Sequence, residues 1–520
     1  MAHFFQIIKE TIDMAKQNQK TKRKCGVLLP IFSLSSKYGI GAFSKEAYDF
    51  VDFLEKAGQS YWQILPLGPT SYGDSPYQSF STFAGNPYFI DIVSLIEEGL
   101  LTEAEADKCD FGGSEEYIDY EKMYRSRFVL LKKAYHNIEN AKDAKKLKKE
   151  FAAFKKNPEN DWLMDYSLFM ALKNANGGRS WITWEEGVRL RKSQAIKQAK
   201  EKYTEEIDFY SFLQFLFSKQ WSALKAYANE KGIEIIGDIP IYVAFDSADT
   251  WANPGLFQLD KKNVPIDVAG CPPDAFSATG QLWGNPLYRW DYHKETGYKW
   301  WMKRIAYCYK LYDVIRIDHF RGFDEYYAIP YGNPTAEEGE WRKGPGYDLF
   351  DTMKKELGDL SVIAEDLGFL TDTVIKLVKK TGYPGMKILQ FAFDSREESD
   401  YLPHNYISNS IVYTGTHDND TTRGWFDKLP KEDKTFAKEY LGIKNAKAAV
   451  WACIRACFAS VSDTVIIPMQ DYLELPGYAR INTPSTLGGN WVWRMKEDAL
   501  SDSLCKQMYD FARIYRRLAK

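Results

Sequence analysis

The sequence predicts a (β/α)8 TIM barrel with large, mostly helical insertions, and three observations carry that prediction. Eight short β-rich runs recur along the chain, most of them apolar on both faces as parallel strands covered by helices must be. Helical spacing separates most of these runs, and charged residues collect at the carboxyl ends of several. The runs are CGVLLPIF (25–32), YWQILPLG (61–68), IEIIGDIP (233–240), DVIRID (313–318), LSVIAED (360–366), MKILQFAF (386–393), SIVYTGTHD (410–418) and TVIIPMQD (464–471).

Two of the connecting helices have readable ends. Ser44 suits the cap of a helix whose Ala47, Phe50, Val51 and Leu54 form one apolar stripe, with Gly58 as its stop. Thr371 suits the start of another, with Val374, Ile375 and Val378 inward and Gly382 closing it.

The domain organisation follows from the spacing. About 165 residues separate the second and third runs, too many for one crossover helix, so a subdomain is expected there. It covers roughly residues 93–225, and its Lys and Glu at helical spacing read as solvated helix faces. A second insertion, roughly residues 246–292, is dense in Pro, Gly and Trp and reads as long ordered loops. Residues 1–24 form an N-terminal extension and 25–520 the barrel domain.

Composition narrows the function. A formal charge of -3, from 68 interleaved basic and 71 acidic residues, offers no basic face to nucleic acid or anionic lipid. No apolar run reaches the ~18 residues that a membrane span requires, and the amino terminus lacks a signal-peptide cleavage pattern. Seven scattered cysteines do not form a disulfide framework, so reduced thiols and a cytoplasmic location are expected. Cys453 and Cys457, four apart on an apolar helical stretch, read as helix packing. Aromatic residues reach 15%, which suits both large cores and surfaces that stack on sugar rings.

In a (β/α)8 barrel the carboxyl ends of the strands build the active site. The fourth run ends at Asp318, the fifth at Glu365 and Asp366, and the seventh at His417 and Asp418, so three acids are expected at one mouth. Two carboxyls about 5–5.5 Å apart cleave a glycosidic bond with retention, one as nucleophile and one as proton donor. Arg316 lies two residues before Asp318, on the same face of the strand, and is expected to hold Asp318 ionised as nucleophile. Glu365 follows an apolar strand and suits the acid/base. Asp418 is then the group that binds sugar hydroxyls near the oxocarbenium-like centre, with His319 and His417 donating hydrogen bonds.

The motifs WQILPLGPTSYGDSPYQSFSTFAGNPY (62–88), GDIPIYVAFDSADTWANP (237–254), GQLWGNPLY (280–288), RIDHFRGF (316–323), AEDLG (364–368) and THDNDT (416–421) resemble those of the 4-α-glucanotransferases called amylomaltases or disproportionating enzymes, relatives of the α-amylases. The resemblance runs from Lys24 to Arg517. It implies nucleophile, acid/base and transition-state stabiliser roles at Asp318, Glu365 and Asp418. It also implies sugar contacts from Tyr72, Ser75, Tyr77, Gln281 and Trp283, a catalytic-centre place for Arg316, His319 and His417, and a hydroxyl contact from Asn482.

The loop 271–283 resembles a cover over the acceptor side. Many relatives carry a second aromatic where this chain has Ala275, leaving Phe276 as the main apolar contact and implying an altered acceptor preference. The implied substrates are maltodextrins, maltooligosaccharides and glucose, with no cofactor; the sequence does not fix the oligomeric state.

Two other readings compete. A metal-dependent barrel hydrolase would use Asp318, His319, His417 and Asp418 as ligands, but the chain has six histidines, and His3, His136, His293 and His404 are not at strand ends. A glucan-binding protein without catalysis would not require a proton donor at Glu365.

Overall fold

Eight parallel strands close into a barrel in the computed structural model, which describes residues 23–519 apart from 72, 274–276 and 369. The strands are β1 (Lys24–Leu28), β2 (Tyr61–Gln63), β3 (Glu234–Pro240), β4 (Val314–Asp318), β5 (Val362–Ala364), β6 (Gly385–Ile388), β7 (Ser410–Tyr413) and β8 (Thr464–Pro468). Each follows its neighbour around the ring, and β8 pairs with β1 to close it. All eight fall on the runs read from the sequence, but several stop early. β2 ends at Gln63, and β6 gives way to a 3-10 turn at Leu389–Phe391.

Strand alternation decides what enters the barrel. Leu28, Ile236, Val314, Ile363, Met386, Ile388, Ile411, Tyr413 and Ile466 pack together as the inner core, while alternate residues such as Ile235, Ile315 and Val465 join the larger core beneath the helices. The line of Val314 therefore continues inside the barrel through Arg316 and Asp318, and that of Ile236 through Asp238. Helices approach the outer wall closely. A Cβ added to Gly237 would lie 2.1 Å from the Tyr312 ring, so only glycine fits there.

The helices largely follow their sequence signals. Lys45–Lys56 buries Ala47, Phe50, Val51 and Leu54 as expected and stops before Gly58, whose φ is +68°. Ser44 stands at its N-cap, yet the Ser44 hydroxyl meets Ser36 and Glu46 instead of a helix N–H. In Asp372–Thr381, Thr371 Oγ1 accepts from Val374 N, and Gly382 closes the helix with φ +74°. The expected inward face is corrected there. Val374 and Leu377 are buried, Val378 is partly so, and Ile375 is exposed.

Between β2 and β3 the chain is helical, with its longest helices at Tyr120–His136, Ala144–Lys156, Leu163–Ala175 and Thr204–Glu230. Pairs such as Arg125 with Glu121 keep charge on the outer faces. Arg127 departs from that pattern. It is buried and donates to the carbonyls of Tyr38 and Ile90. The loops expected over 246–292 are partly replaced by structure: Asp267–Cys271 and Gln281–Pro286 pair antiparallel and join Glu325–Pro330 and Glu340–Lys343 in a four-stranded sheet.

Cys453 and Cys457 are buried on helix Ala449–Ala459. Among the described residues no helix is long and apolar enough to cross a membrane. The N-terminal extension lies outside the described residues apart from Arg23 and Lys24.

Candidate active site

Barrel register brings the acids together. Ile317 pairs with Ala364, which places Asp318 beside Glu365 at the ends of β4 and β5. The chain turns sharply after Asp318: His319 has φ +55° and ψ +48°, a left-handed conformation that costs a non-glycine residue energy. That turn aims the His319 N–H at Glu365 Oε2, 2.7 Å away, while Leu367 N donates to Oε1 at 3.0 Å. Glu365 is thus gripped at both oxygens by backbone.

Beneath Asp318 lies a buried ion pair. Arg316 and Asp238 are register partners on β4 and β3, and Arg316 Nη1 meets Asp238 Oδ1 and Oδ2 at 2.8 and 2.7 Å. The same nitrogen reaches Asp318 Oδ1 at 3.1 Å. Tyr77 OH donates to Asp238 Oδ2 at 2.8 Å and lies 3.0 Å from His417 Nε2. Because the phenol proton goes to Asp238, the imidazole nitrogen donates to the phenol oxygen. His417 Nε2 also stands 3.3 Å from Asp418 Oδ2, and Asn482 Nδ2 donates to Asp418 Oδ1 at 2.6 Å. A chain of hydrogen bonds and ion pairs therefore joins Asp318 to Asp418.

Burial and charge set the protonation states. The Asp418 carboxyl is held well below the usual carboxylate range: burial works against its ionisation, but His417 and Asn482 outweigh it. His417 is raised in turn, Asp418 overcoming the effect of burial. Burial is the main cause that lifts Glu365 to about 7, with the neighbouring Asp318 charge adding to it. Asp318 is also lifted, to about 6, by burial. This corrects the expectation that Arg316 would hold the carboxyl low. The guanidinium does pull downward, but it is shared with Asp238 and does not overcome burial. His319 is driven down to about 3 by burial and stays neutral near pH 7.

The remaining sequence candidates divide clearly. Trp283 sets its ring edge-on to His319, with centroids 4.7 Å apart, and donates from Nε1 to Gln281 Oε1 at 3.1 Å. Tyr77 stacks on His417 at 5.3 Å. Ser75 Oγ accepts from Tyr77 N at 3.3 Å, a contact that shapes the loop and does not reach the acids. Tyr72, Ala275 and Phe276 lie outside the described residues. Among the described residues no group of three or more His, Cys, Asp or Glu side chains is arranged to hold a metal ion.

Three acids at the mouth of a closed barrel, two of them adjacent, suit glycosyl chemistry, and comparison with known proteins decides the family. The 4-alpha-glucanotransferase family model matches residues 29–501. The chain belongs to that family. It is 51% identical to the 4-alpha-glucanotransferase of Clostridium butyricum, over 94% of this chain and 99% of the relative. It is 46% identical to that of Thermus thermophilus, over 92% and 96%. The structure of an amylomaltase from Streptococcus agalactiae in complex with acarbose superposes with TM-score 0.92 at 43% identity, covering 96% of this chain and 100% of that one. Its activity is therefore that of a 4-α-glucanotransferase acting on α-1,4-glucans (EC 2.4.1.25).

Sequence reasoning missed three residues of this glucanotransferase site. Asp238 sits two residues past Ile236 on an inward strand line, a signal that alternation offered but that a search of strand ends alone passed over. Arg480 Nη2 donates to the Asp418 carbonyl at 2.5 Å, from a loop with no regular pattern. Tyr242 lies near both Trp283 and His319, with ring centroids 6.3 and 6.5 Å away.

Proposed function

We propose that this glucanotransferase moves α-1,4-glucan segments between maltodextrins by a retaining double displacement at Asp318. In the first step Glu365 gives its proton to the glycosidic O4 as Asp318 Oδ attacks C1, forming a glycosyl ester and releasing the donor's reducing-end piece. In the second, the 4-hydroxyl of an acceptor attacks C1, Glu365 takes that hydroxyl's proton, and Asp318 leaves as carboxylate. Asp418, ionised and fixed by His417 and Asn482, binds sugar hydroxyls and offsets the positive charge that develops at the ring.

The observation that carries this reading is the His319 N–H bond to Glu365, which ties the proton donor to the residue beside the nucleophile. The proton state of Glu365 supports the assignment, since burial lifts it to about 7 and so keeps a proton available near neutral pH.

On this reading Arg316, Tyr77, His319 and His417 frame the donor sugar, and His319 offers a buried Nε2 that has no protein partner among the described residues. Trp283, Gln281 and Ser75 line the path of the glucan, and stacking on the Trp283 ring holds an acceptor against water. Glucose and maltooligosaccharides serve as acceptors. Residues 93–225 then act as an inserted helical subdomain, and seven cysteines scattered through the chain fit a reducing, cytoplasmic setting.

Incubation with maltotriose tests the reaction. Glucose together with a ladder of longer maltodextrins is the expected product pattern. Glucose and maltose alone would mean hydrolysis, and unchanged substrate would mean binding without turnover.

A further inference from the structure

Asp238 is fully buried beside its register partner Arg316, and a single guanidinium nitrogen serves two carboxylates. Arg316 Nη1 is nearer to Asp238, at 2.7 and 2.8 Å, than to Asp318, at 3.1 Å. Backbone register on β3 and β4 fixes this spacing, so the sharing is built into the barrel. We propose that Asp238 is a positioning residue that sets the proton affinity of Asp318, by holding the larger share of Arg316 and adding a second negative charge beneath the nucleophile. The proposal rests on the reading of Asp318 as nucleophile.

Several groups face this pair. Arg316 and Asp318 come from β4, Tyr77 from the loop after β2, Tyr413 from β7, His417 and Asp418 from the loop after β7, and Glu365 from the end of β5; Tyr312 stands just before β4. With Asp318 ionised and Glu365 protonated, the cations Arg316 and protonated His417 face the carboxylates Asp238, Asp318 and Asp418. Negative charge is then in excess, and a proton on Asp318 restores balance. Without the Asp238 charge, the cluster is balanced while Asp318 is ionised. Asp318 does lie above the ordinary carboxylate range, with Asp238 among the causes that raise it. A nucleophile released from a full ion pair keeps more of its negative charge for C1.

The test is the pH dependence of kcat/KM on maltotriose for the wild type, Asp238→Asn and Tyr77→Phe, with thermal melting of each. Asp238→Asn is isosteric and uncharged, so the acid limb is expected to move down by about one pH unit, with the alkaline limb in place. Tyr77→Phe removes the phenol proton that neutralises part of the Asp238 charge, so its acid limb is expected to move up. Acid limbs unmoved in both variants, with loss of rate alone, would reduce Asp238 to a structural role and overturn the proposal; so would movement in the opposite directions. Should Asp238→Asn fail to fold, Tyr77→Phe decides alone. A wild type without an acid limb, together with an active Asp318→Asn, would instead sink the nucleophile reading, and the proposal with it.

Discussion

The backbone N–H of His319 donates to Glu365 Oε2 at 2.7 Å, so the residue next to the nucleophile fixes the direction of the proton donor. With Leu367 N on the other oxygen, the carboxyl has an N–H donor at each side. An amide cannot accept at both positions. Glu365→Gln is therefore expected to lose about 1–3 kcal/mol of stability from one unsatisfied buried N–H, measurable by denaturant unfolding. Asp318→Asn faces no such pair of backbone donors and is expected to melt near the wild-type temperature while losing turnover.

The same Glu365→Gln variant separates the two chemical roles. A glycosyl fluoride needs no proton to depart, so the first step with such a donor is expected to survive while reaction with maltotriose is lost. Comparison of rates on the two donors checks this, and equal losses on both would remove Glu365 from the acid/base role.

Activity requires Asp318 ionised and Glu365 protonated. Because burial places these carboxyls at about 6 and about 7, kcat/KM is expected to fall below pH 6 as Asp318 takes up a proton, and above pH 7 as Glu365 loses one. The resulting bell is narrow. Loss of the proton from His417 adds to the alkaline limb, since it weakens the hold on Asp418. A profile flat from pH 5 to 8 would contradict these assignments.

Asp418 depends on its neighbours for aim. Asn482→Ala removes the donor to its Oδ1 and is expected to lower kcat by about a hundredfold, with a smaller change in KM, because the contact matters most as charge develops. Steady-state kinetics on maltotriose gives both parameters. A change confined to KM would assign Asn482 to ground-state binding.

The loop that carries His417 and Asp418 is clamped from the short helix Met469–Tyr472 that follows β8. The buried carboxylate of Asp471 accepts from Thr414 Oγ1 at 2.5 Å, Thr422 N at 2.7 Å and Thr422 Oγ1 at 2.6 Å, holding the loop at both ends. Asp471→Leu is expected to destabilise the protein by about 1–3 kcal/mol for each buried group left without a partner. Asp471→Asn retains an acceptor for the backbone N–H and is expected to recover most of the loss. Urea unfolding of both variants tests the clamp.

Much of this was legible in the chain. The barrel strands carry apolar residues on both faces, which little else in a globular protein demands. Their terminal acids follow from the one face where such barrels do chemistry. The two-residue spacing of Arg316 and Asp318 correctly placed both on one face of the strand. The proton affinity of Asp318 was not legible, because it depends on burial and on Asp238, which lies far away in sequence and becomes a neighbour only through strand register. The strands Asp267–Cys271 and Gln281–Pro286 escaped notice because Gly270, Gly280 and Gly284, with a register shift between Val268 and Gly270, blur the alternation that marks a strand. Ile375 misled because the apolar stripe of its helix is narrower than the sequence suggests, and Leu377 fills the inward place.

The central claim is a covalent bond between C1 of a glucosyl residue and the carboxylate of Asp318. Glu365→Gln incubated with a maltosyl fluoride whose non-reducing 4-hydroxyl is blocked forms the ester but turns it over slowly, so peptide mass spectrometry of the quenched protein reads the bond directly. A maltosyl adduct on the peptide containing Asp318 is the predicted result. An adduct on another residue, or no adduct together with products of inverted anomeric configuration, would contradict it.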